Sequence, residues 1–219
     1  MLRITAHVDS KQAEMEHYLV RHAMVCEKTA EHPNVTENLT AAPVDGLWWV
    51  LDRWEEGETL AERLSRGALG EYELQFIMCG IAAGLVELNR CGVIRRELTP
   101  KSILLRESDD RPILTDMELA KLSSGKPTVS PEQWPDDPYR ALEVCGGAPC
   151  DERADVYSWA RIFIHAANGF LPLRGEEQLH KNVSIPNKVR EVVLKAVSIT
   201  PSGRPSEMAE VLNILRVWP

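Results

Sequence analysis

The chain opens on an alternation: Leu2, Ile4, Ala6 and Val8 are separated by Arg3, Thr5 and His7. That two-residue period predicts a strand over Leu2–Val8. Asp9 or Ser10 can cap a following helix. Met15, Leu19, His22 and Cys26 then recur at the three- and four-residue steps of a helical face. His32-Pro33-Asn34 closes this helix, because proline restricts the residue before it. Two short strands are expected next, Leu39–Val44 and Leu47–Leu51, joined at Asp45-Gly46, a pair suited to a tight hairpin. Glu56-Gly57-Glu58 predicts a turn, and Thr59–Arg66 a short helix.

From Glu71 the period lengthens. Leu74, Ile77, Met78, Ile81, Leu85 and Leu88 mark one face of a long buried helix that stops at Cys91-Gly92. Ile103–Leu105 and Ile113–Leu114 predict short strands. Lys121–Pro138, rich in Ser, Gly, Pro and Asp, predicts a loop. Helices return over Glu152–Ala167, Lys188–Ser198 and Ser206–Val217. Strands gather early and helices late, which describes an α+β chain of two unequal parts. Their expected extents are residues 1–54 and 55–219.

Composition narrows the partners. The 219 residues are 44% hydrophobic and 26% charged, enough for one large domain or two small lobes with a core. The net charge of -8, with Arg95-Arg96 as an isolated basic pair, argues against nucleic acid and anionic membranes as partners. The first ten residues lack the pattern of a signal peptide. The apolar stretch Phe76–Val86 falls short of the roughly 20 residues that span a bilayer. Five cysteines, Cys26, Cys79, Cys91, Cys145 and Cys150, show no paired metal spacing. They are read as thiols of a reducing cytoplasm, the alternative being a loop disulfide or half a metal site at Cys145 and Cys150.

The segment Arg95-Arg96-Glu97-Leu98-Thr99-Pro100-Lys101-Ser102-Ile103-Leu104-Leu105 resembles the catalytic loop of protein kinases. The family pattern there is His-Arg-Asp-Leu, Lys or a substitute, Pro, any residue, Asn, then a short apolar strand. Further along, Thr115-Asp116-Met117-Glu118 resembles the magnesium-holding Asp-Phe-Gly motif. Tyr139-Arg140-Ala141-Leu142-Glu143 resembles the Ala-Pro-Glu end of the activation segment. Asp151–Trp159 resembles the start of the central helix of the large lobe, and Pro201–Ser206 the Arg-Pro turn before the last helix. Upstream, His32-Pro33-Asn34-Val35 resembles the turn after the regulatory helix, and Leu47–Leu60 the strand, hinge and first helix that follow. The order of these matches identifies the chain as a member of the protein kinase-like superfamily, closest in flavour to bacterial serine/threonine kinases.

The resemblance implies an α+β, bilobal protein kinase-like fold with a reduced β-rich small lobe and a helical large lobe. It implies that Glu143 pairs with Arg204, that Asp155 holds the catalytic-loop backbone, and that Arg96 is the arginine that meets a phosphorylated activation segment. Leu51 falls at the gatekeeper position, with Asp52 to Trp54 as the hinge that would meet adenine. Against the family pattern, Glu97 stands at the catalytic-base position and Ser102 at the metal-ligating asparagine. His7 stands at the anchoring lysine, and His22 at that lysine's acidic partner, with Glu14, Glu16 and Glu27 as the nearby alternatives. Asp116 survives as a metal ligand, and Glu118 replaces the motif's glycine. The glycine-rich loop would precede the strand at which this sequence begins.

Phosphoryl transfer depends on positioning and charge neutralisation. These departures therefore predict a catalytically impaired domain, a pseudokinase acting as an interaction or regulatory module. The alternatives are a minimal ATP-dependent serine/threonine kinase working through Glu97 and Asp116, or an ATP-sensing protein. No cofactor is expected to be required, and magnesium-ATP is expected to bind weakly or not at all. The partner is expected to be a protein or a second copy, added to the edge of the Leu2–Val8 strand. Trp48, Trp49 and Trp54 are expected to pack the small lobe and hinge, Pro131–Pro138 to stiffen the activation segment, and His165 to be partly buried in its helix.

Overall fold

The computed structural model describes residues 2–5, 20, 22–29, 31–44, 47–117, 121–122, 137–145, 149–180 and 184–218. Strand β1 (Leu2–Thr5) lies antiparallel to β3 (Leu47–Asp52), which pairs on its other side with β2 (Asn38–Val44). The resulting three-stranded sheet has the order β1-β3-β2. Pro43 cannot donate to a ladder, and β2 accommodates it because it is an edge strand. Helix α1 (22–28) precedes this hairpin. His7, Ala6–Val8 and Asp45-Gly46 lie outside the described residues.

Chain 53–59 leaves the sheet and enters a second one. β4 (Gly57–Thr59) pairs with β6 (Ile103–Arg106), which pairs with β7 (Pro112–Leu114). The turn expected at Glu56-Gly57-Glu58 is therefore a strand over its last two residues, because Gly57 and Glu58 find ladder partners in Arg106 and Leu105. Helix α2 (Leu60–Leu64) starts at a reciprocal capping box. Thr59 Oγ1 accepts from the Glu62 amide at 3.2 Å, and Glu62 Oε2 accepts from the Thr59 amide at 2.7 Å. β5 (Val93–Ile94) pairs with β8 (Lys121–Leu122), so the predicted loop begins with two paired residues.

The helical part is built on α3 (Glu71–Arg90) and α5 (Arg153–Asn168). The α3 stripe of Leu74, Ile77, Met78, Ile81, Leu85 and Leu88 has no solvent exposure. Each such side chain contributes about 1.5–3 kcal/mol relative to exposure, an upper bound. α5 is buried almost all round, and Trp159 donates its indole N–H to the Met78 carbonyl at 3.1 Å. Gly169 ends α5 in the left-handed conformation at φ 78°, where a side chain would be strained. Helices α4 (Leu142–Cys145), α6 (Asn187–Ala196) and α7 (Met208–Leu215) complete the bundle.

Two glycines bring the β6–β7 hairpin onto α3. A Cβ on Gly80 would sit 2.5 Å from the Pro112 ring, and one on Gly84 would sit 2.9 Å from Leu114 Cδ1 and from the Asn34 carbonyl oxygen beside the hairpin. None of the five cysteines forms a disulfide. Among the described residues no helix is long and apolar enough to cross a bilayer. Trp54, expected to pack the hinge, is 62% exposed, because the chain has already left β3 at Asp52.

Candidate active-site cleft

The loop that follows β5 is held from below. Asp155, the third residue of α5 and fully buried, accepts the backbone amides of Arg95 and Arg96, each at 2.8 Å, on separate carboxylate oxygens. Arg96 takes a positive φ of 60°, a conformation that costs a non-glycine residue about 1–3 kcal/mol and persists only when its surroundings hold it. The two charge-assisted bonds from Asp155 supply that hold. Burial pushes the Asp155 carboxyl up to about 6, with the Arg95 and Arg96 amides pulling it back down.

The chain before α4 is fixed from the other side. Arg161 on α5, buried, donates to the Pro138 carbonyl at 3.1 Å and pairs with Glu177 at 2.7 Å. Arg174 donates to the carbonyls of Asp137 at 2.6 Å and Arg140 at 3.0 Å. The Tyr139 hydroxyl lies 2.5 Å from Nδ1 of half-buried His165. These contacts leave Arg140 aimed into the cleft, where its guanidinium donates to Glu97 Oε1. Its side chain is 1% exposed, against 22% for Glu97. Burial raises the Glu97 carboxyl above its ordinary range, against the opposing pull of Arg140 and Arg95.

Ser102 is buried, and its hydroxyl stays within the loop. It donates to the Thr99 carbonyl at 3.1 Å and accepts the Thr99 amide at 3.3 Å. Its carbonyl accepts the Thr115 amide at 3.0 Å, which sets Asp116 directly after the β7 strand. Arg95, in place of the family histidine, donates to the Thr115 carbonyl at 2.8 Å. Asp116 has φ 58° and accepts from the Thr115 hydroxyl at 3.3 Å. Among the described residues, no three His, Cys, Asp or Glu side chains converge as metal ligands. Asp116 alone offers a carboxylate at the positions the resemblance assigns to magnesium, whereas magnesium demands a near-ideal octahedron of oxygens. The residues present are a poor fit to that ion.

Behind Asp116, the fully buried Met117 joins α1 to the end of β3. The Met117 amide donates to His22 Nδ1 at 3.2 Å, and His22 Nε2 lies 2.9 Å from Asp52 Oδ1. Burial works against the imidazolium while Asp52 and Cys26 favour it, an upward pull on the His22 pKa that the Met117 N–H at Nδ1 opposes. A proton on Nδ1 would face the Met117 N–H. The geometry as it stands therefore belongs to the neutral ring, with Nε2 donating to Asp52. Asp52 also accepts from the Asn38 amide group at 2.8 Å. Thus Asp52 points into the interior while Leu51 is half-buried and Trp54 faces solvent.

The pair expected at the base of the large lobe is in contact. Arg204 donates to Glu143 Oε1 at 2.6 Å and Oε2 at 3.1 Å. Two relationships escaped sequence reasoning: Arg140 with Glu97, and His22 with Asp52. The available signal was a pair of unusual charges, an arginine just before the Ala-Pro-Glu-like motif and an acidic residue at the end of a strand beside a helical histidine.

A sequence profile described as the protein kinase domain matches residues 4–215. The chain is 23% identical over 201 residues to a probable serine/threonine-protein kinase of Clostridium perfringens, covering 84% of this chain and 29% of that protein. It is 23% identical over 191 residues to the serine/threonine-protein kinase PrkC of Bacillus subtilis, covering 80% and 29%. It is 27% identical over 186 residues to ribosomal protein S6 kinase alpha-6 of Mus musculus, covering 84% and 23%. The chain thus spans about a quarter to a third of the length of these relatives. Its fold is similar to a crystal structure of a double mutant of the Mycobacterium tuberculosis PknI kinase domain. The TM-score is 0.73 at 21% identity, covering 98% of this chain and 83% of that one. The α+β architecture is that of a protein kinase with a reduced sheet, and the chain belongs to the protein kinase domain family.

Proposed function

We propose that this chain is a non-catalytic member of its family, a kinase-shaped module that works by binding other proteins. The observation that carries the reading is the ion pair between Glu97 and buried Arg140. A general base must lie within hydrogen-bond reach of the hydroxyl proton it takes. Here the carboxylate at that position is turned to a guanidinium which the clamped segment 137–140 holds in place. The inward-turned Ser102 hydroxyl supports the same conclusion, as does the poor fit to magnesium of the ligand positions among the described residues.

The test is phosphotransfer from radiolabelled ATP, with magnesium or manganese, to the chain itself and to a generic basic protein substrate. Incorporation is expected at background level, equal for the parent and an Asp116→Ala variant. Label that Asp116→Ala abolishes would overturn the reading. It would establish instead an ATP-dependent serine/threonine kinase working through Glu97 and Asp116. That second reading is favoured by the retained Asp116 and by the kinase names of the relatives.

A further inference from the structure

A trough runs along the outer face of α3, on elements that carry none of the cleft residues described above. Its cavity measures about 400 Å³. Phe76, Cys79, Gly80 and Ala83 of α3 form its floor, Pro112 of the hairpin one wall, and Leu212 of α7 the other. Pro112 packs directly against Gly80, whose missing side chain lets the hairpin come this close. At the N-terminal end stand Tyr72, 81% exposed, and Phe76, 38% exposed, with their rings stacked at 6.5 Å.

The charge of the trough opposes that of the molecule. The sequence carries a net -8, yet the charged residues lining this cavity are Arg111 and Arg216, one on the hairpin and one just past α7. Among the described residues no carboxylate lines it. Arg111 shares Asp109 at 3.3 Å, whereas no ion pair reaches exposed Arg216 among the described residues. The Cys79 thiol on the floor is raised by burial, with Arg216 opposing.

We infer that this trough binds an extended peptide segment that combines an apolar or aromatic anchor with flanking carboxylates. From Tyr72 to Ala83 the helix rises about 1.5 Å per residue, giving a trough on the order of 16 Å, the length of roughly five residues of extended chain. The open mouth at Tyr72 would leave a small molecule largely uncovered, whereas binding sites for drug-sized ligands bury about 70–90% of the ligand surface. A flat bilayer could not reach a floor that lies between two walls, and an anionic one would be repelled by the net charge. The anchor would sit on Phe76 and Cys79, and the carboxylates would meet the two guanidinium groups. This inference does not depend on whether the cleft transfers phosphate.

The test is selection of a random decapeptide display library on the intact chain, counter-selected on an Arg111→Glu/Arg216→Glu variant. Sequences pairing Phe, Leu or Trp with Asp or Glu should be enriched. A fluorescein-labelled Asp-Glu-Phe-Leu-Asp-Glu peptide should bind the parent at least about tenfold more tightly than the double variant or a peptide with lysines in place of its acids. The same peptide should slow alkylation of Cys79, read by mass spectrometry, while the variant's melting temperature stays at the parental value. Enrichment of basic or purely polar sequences would overturn the proposal, as would no enrichment, or equal binding by the double variant. Protection of Cys79 by decanoate but not by the selected peptides would also defeat it, and would assign the trough to an amphiphile.

Discussion

Arg204 and Glu143 form a two-bond fork although 61 residues separate them in sequence. The arginine also donates to the carbonyls of Ser198, Ile199 and Arg153 at 2.8–3.1 Å, and its guanidinium lies 4.7 Å from the centre of the Tyr157 ring. One buried side chain thus ties the turn before α7 to both α4 and α5.

Lysine would keep the charge of Arg204 and lose the planar fork. We expect Arg204→Lys to cost about 1.5–3 kcal/mol, the loss of bonds to a charged group, and to lower the melting temperature by about 3–12 °C. A shift below about 2 °C by differential scanning fluorimetry would show that the fork contributes little.

Replacing Arg140 separates a structural ion pair from an inhibitory one. Arg140→Met leaves Glu97 without its charged donor, for a loss of about 1.5–3 kcal/mol in chemical denaturation. No phosphotransfer should appear. Label incorporation by this variant, absent in the parent, would recast the pair as a lock on an intact catalyst.

Asp155 gives a pH signature of defined sign. Its folded pKa, about 6, lies above the ordinary carboxylate value of 3.8. Between those values the native state holds a proton that the unfolded chain has released. The stability linked to this group is therefore fully present below the lower value and is lost as pH rises through the upper one. Asp155→Asn removes the titration. The melting-temperature gap between parent and variant should therefore widen as pH falls from 7 to 5, and parallel profiles would contradict the assignment.

Nucleotide should bind weakly. Calorimetry with magnesium-ATP is expected to give a dissociation constant above about 100 μM, less than about 5.5 kcal/mol of binding free energy, or no heat at all. A low-micromolar constant would show that the cleft holds nucleotide despite the commitments of Glu97 and Ser102.

Long helices were legible because their periodicity is local. The stripe from Leu74 to Leu88 specifies α3 without reference to any other segment, and Asp151–Trp159 marks α5 by motif and pattern together. Gly57 and Glu58 looked like a turn because their composition is that of a turn, but their ladder partners lie 47 or more residues away at Leu105 and Arg106. Lys121 and Leu122 were hidden in the same way by a polar neighbourhood and by partners at Val93 and Ile94. In the cleft, motif order located Glu97, Ser102, Asp116 and Asp155. What each side chain touches depends on distant residues, so the engagement of Glu97 by Arg140 and of Asp52 by His22 emerged only in three dimensions. Trp54 shows the converse, a large apolar residue left in solvent by a backbone that had already departed from its strand.

The bare faces of Gly80 and Gly84 make α3 a fixed gauge for the hairpin beside it. At Gly80 the separation is set chiefly by the Pro112 ring, which cannot swing aside to absorb a misfit, and at Gly84 by Leu114 and the Asn34 main chain. Substitutions elsewhere along the trough can therefore change what it recognises while leaving its width alone. Its specificity can diverge without any rebuilding of the helical core beneath it.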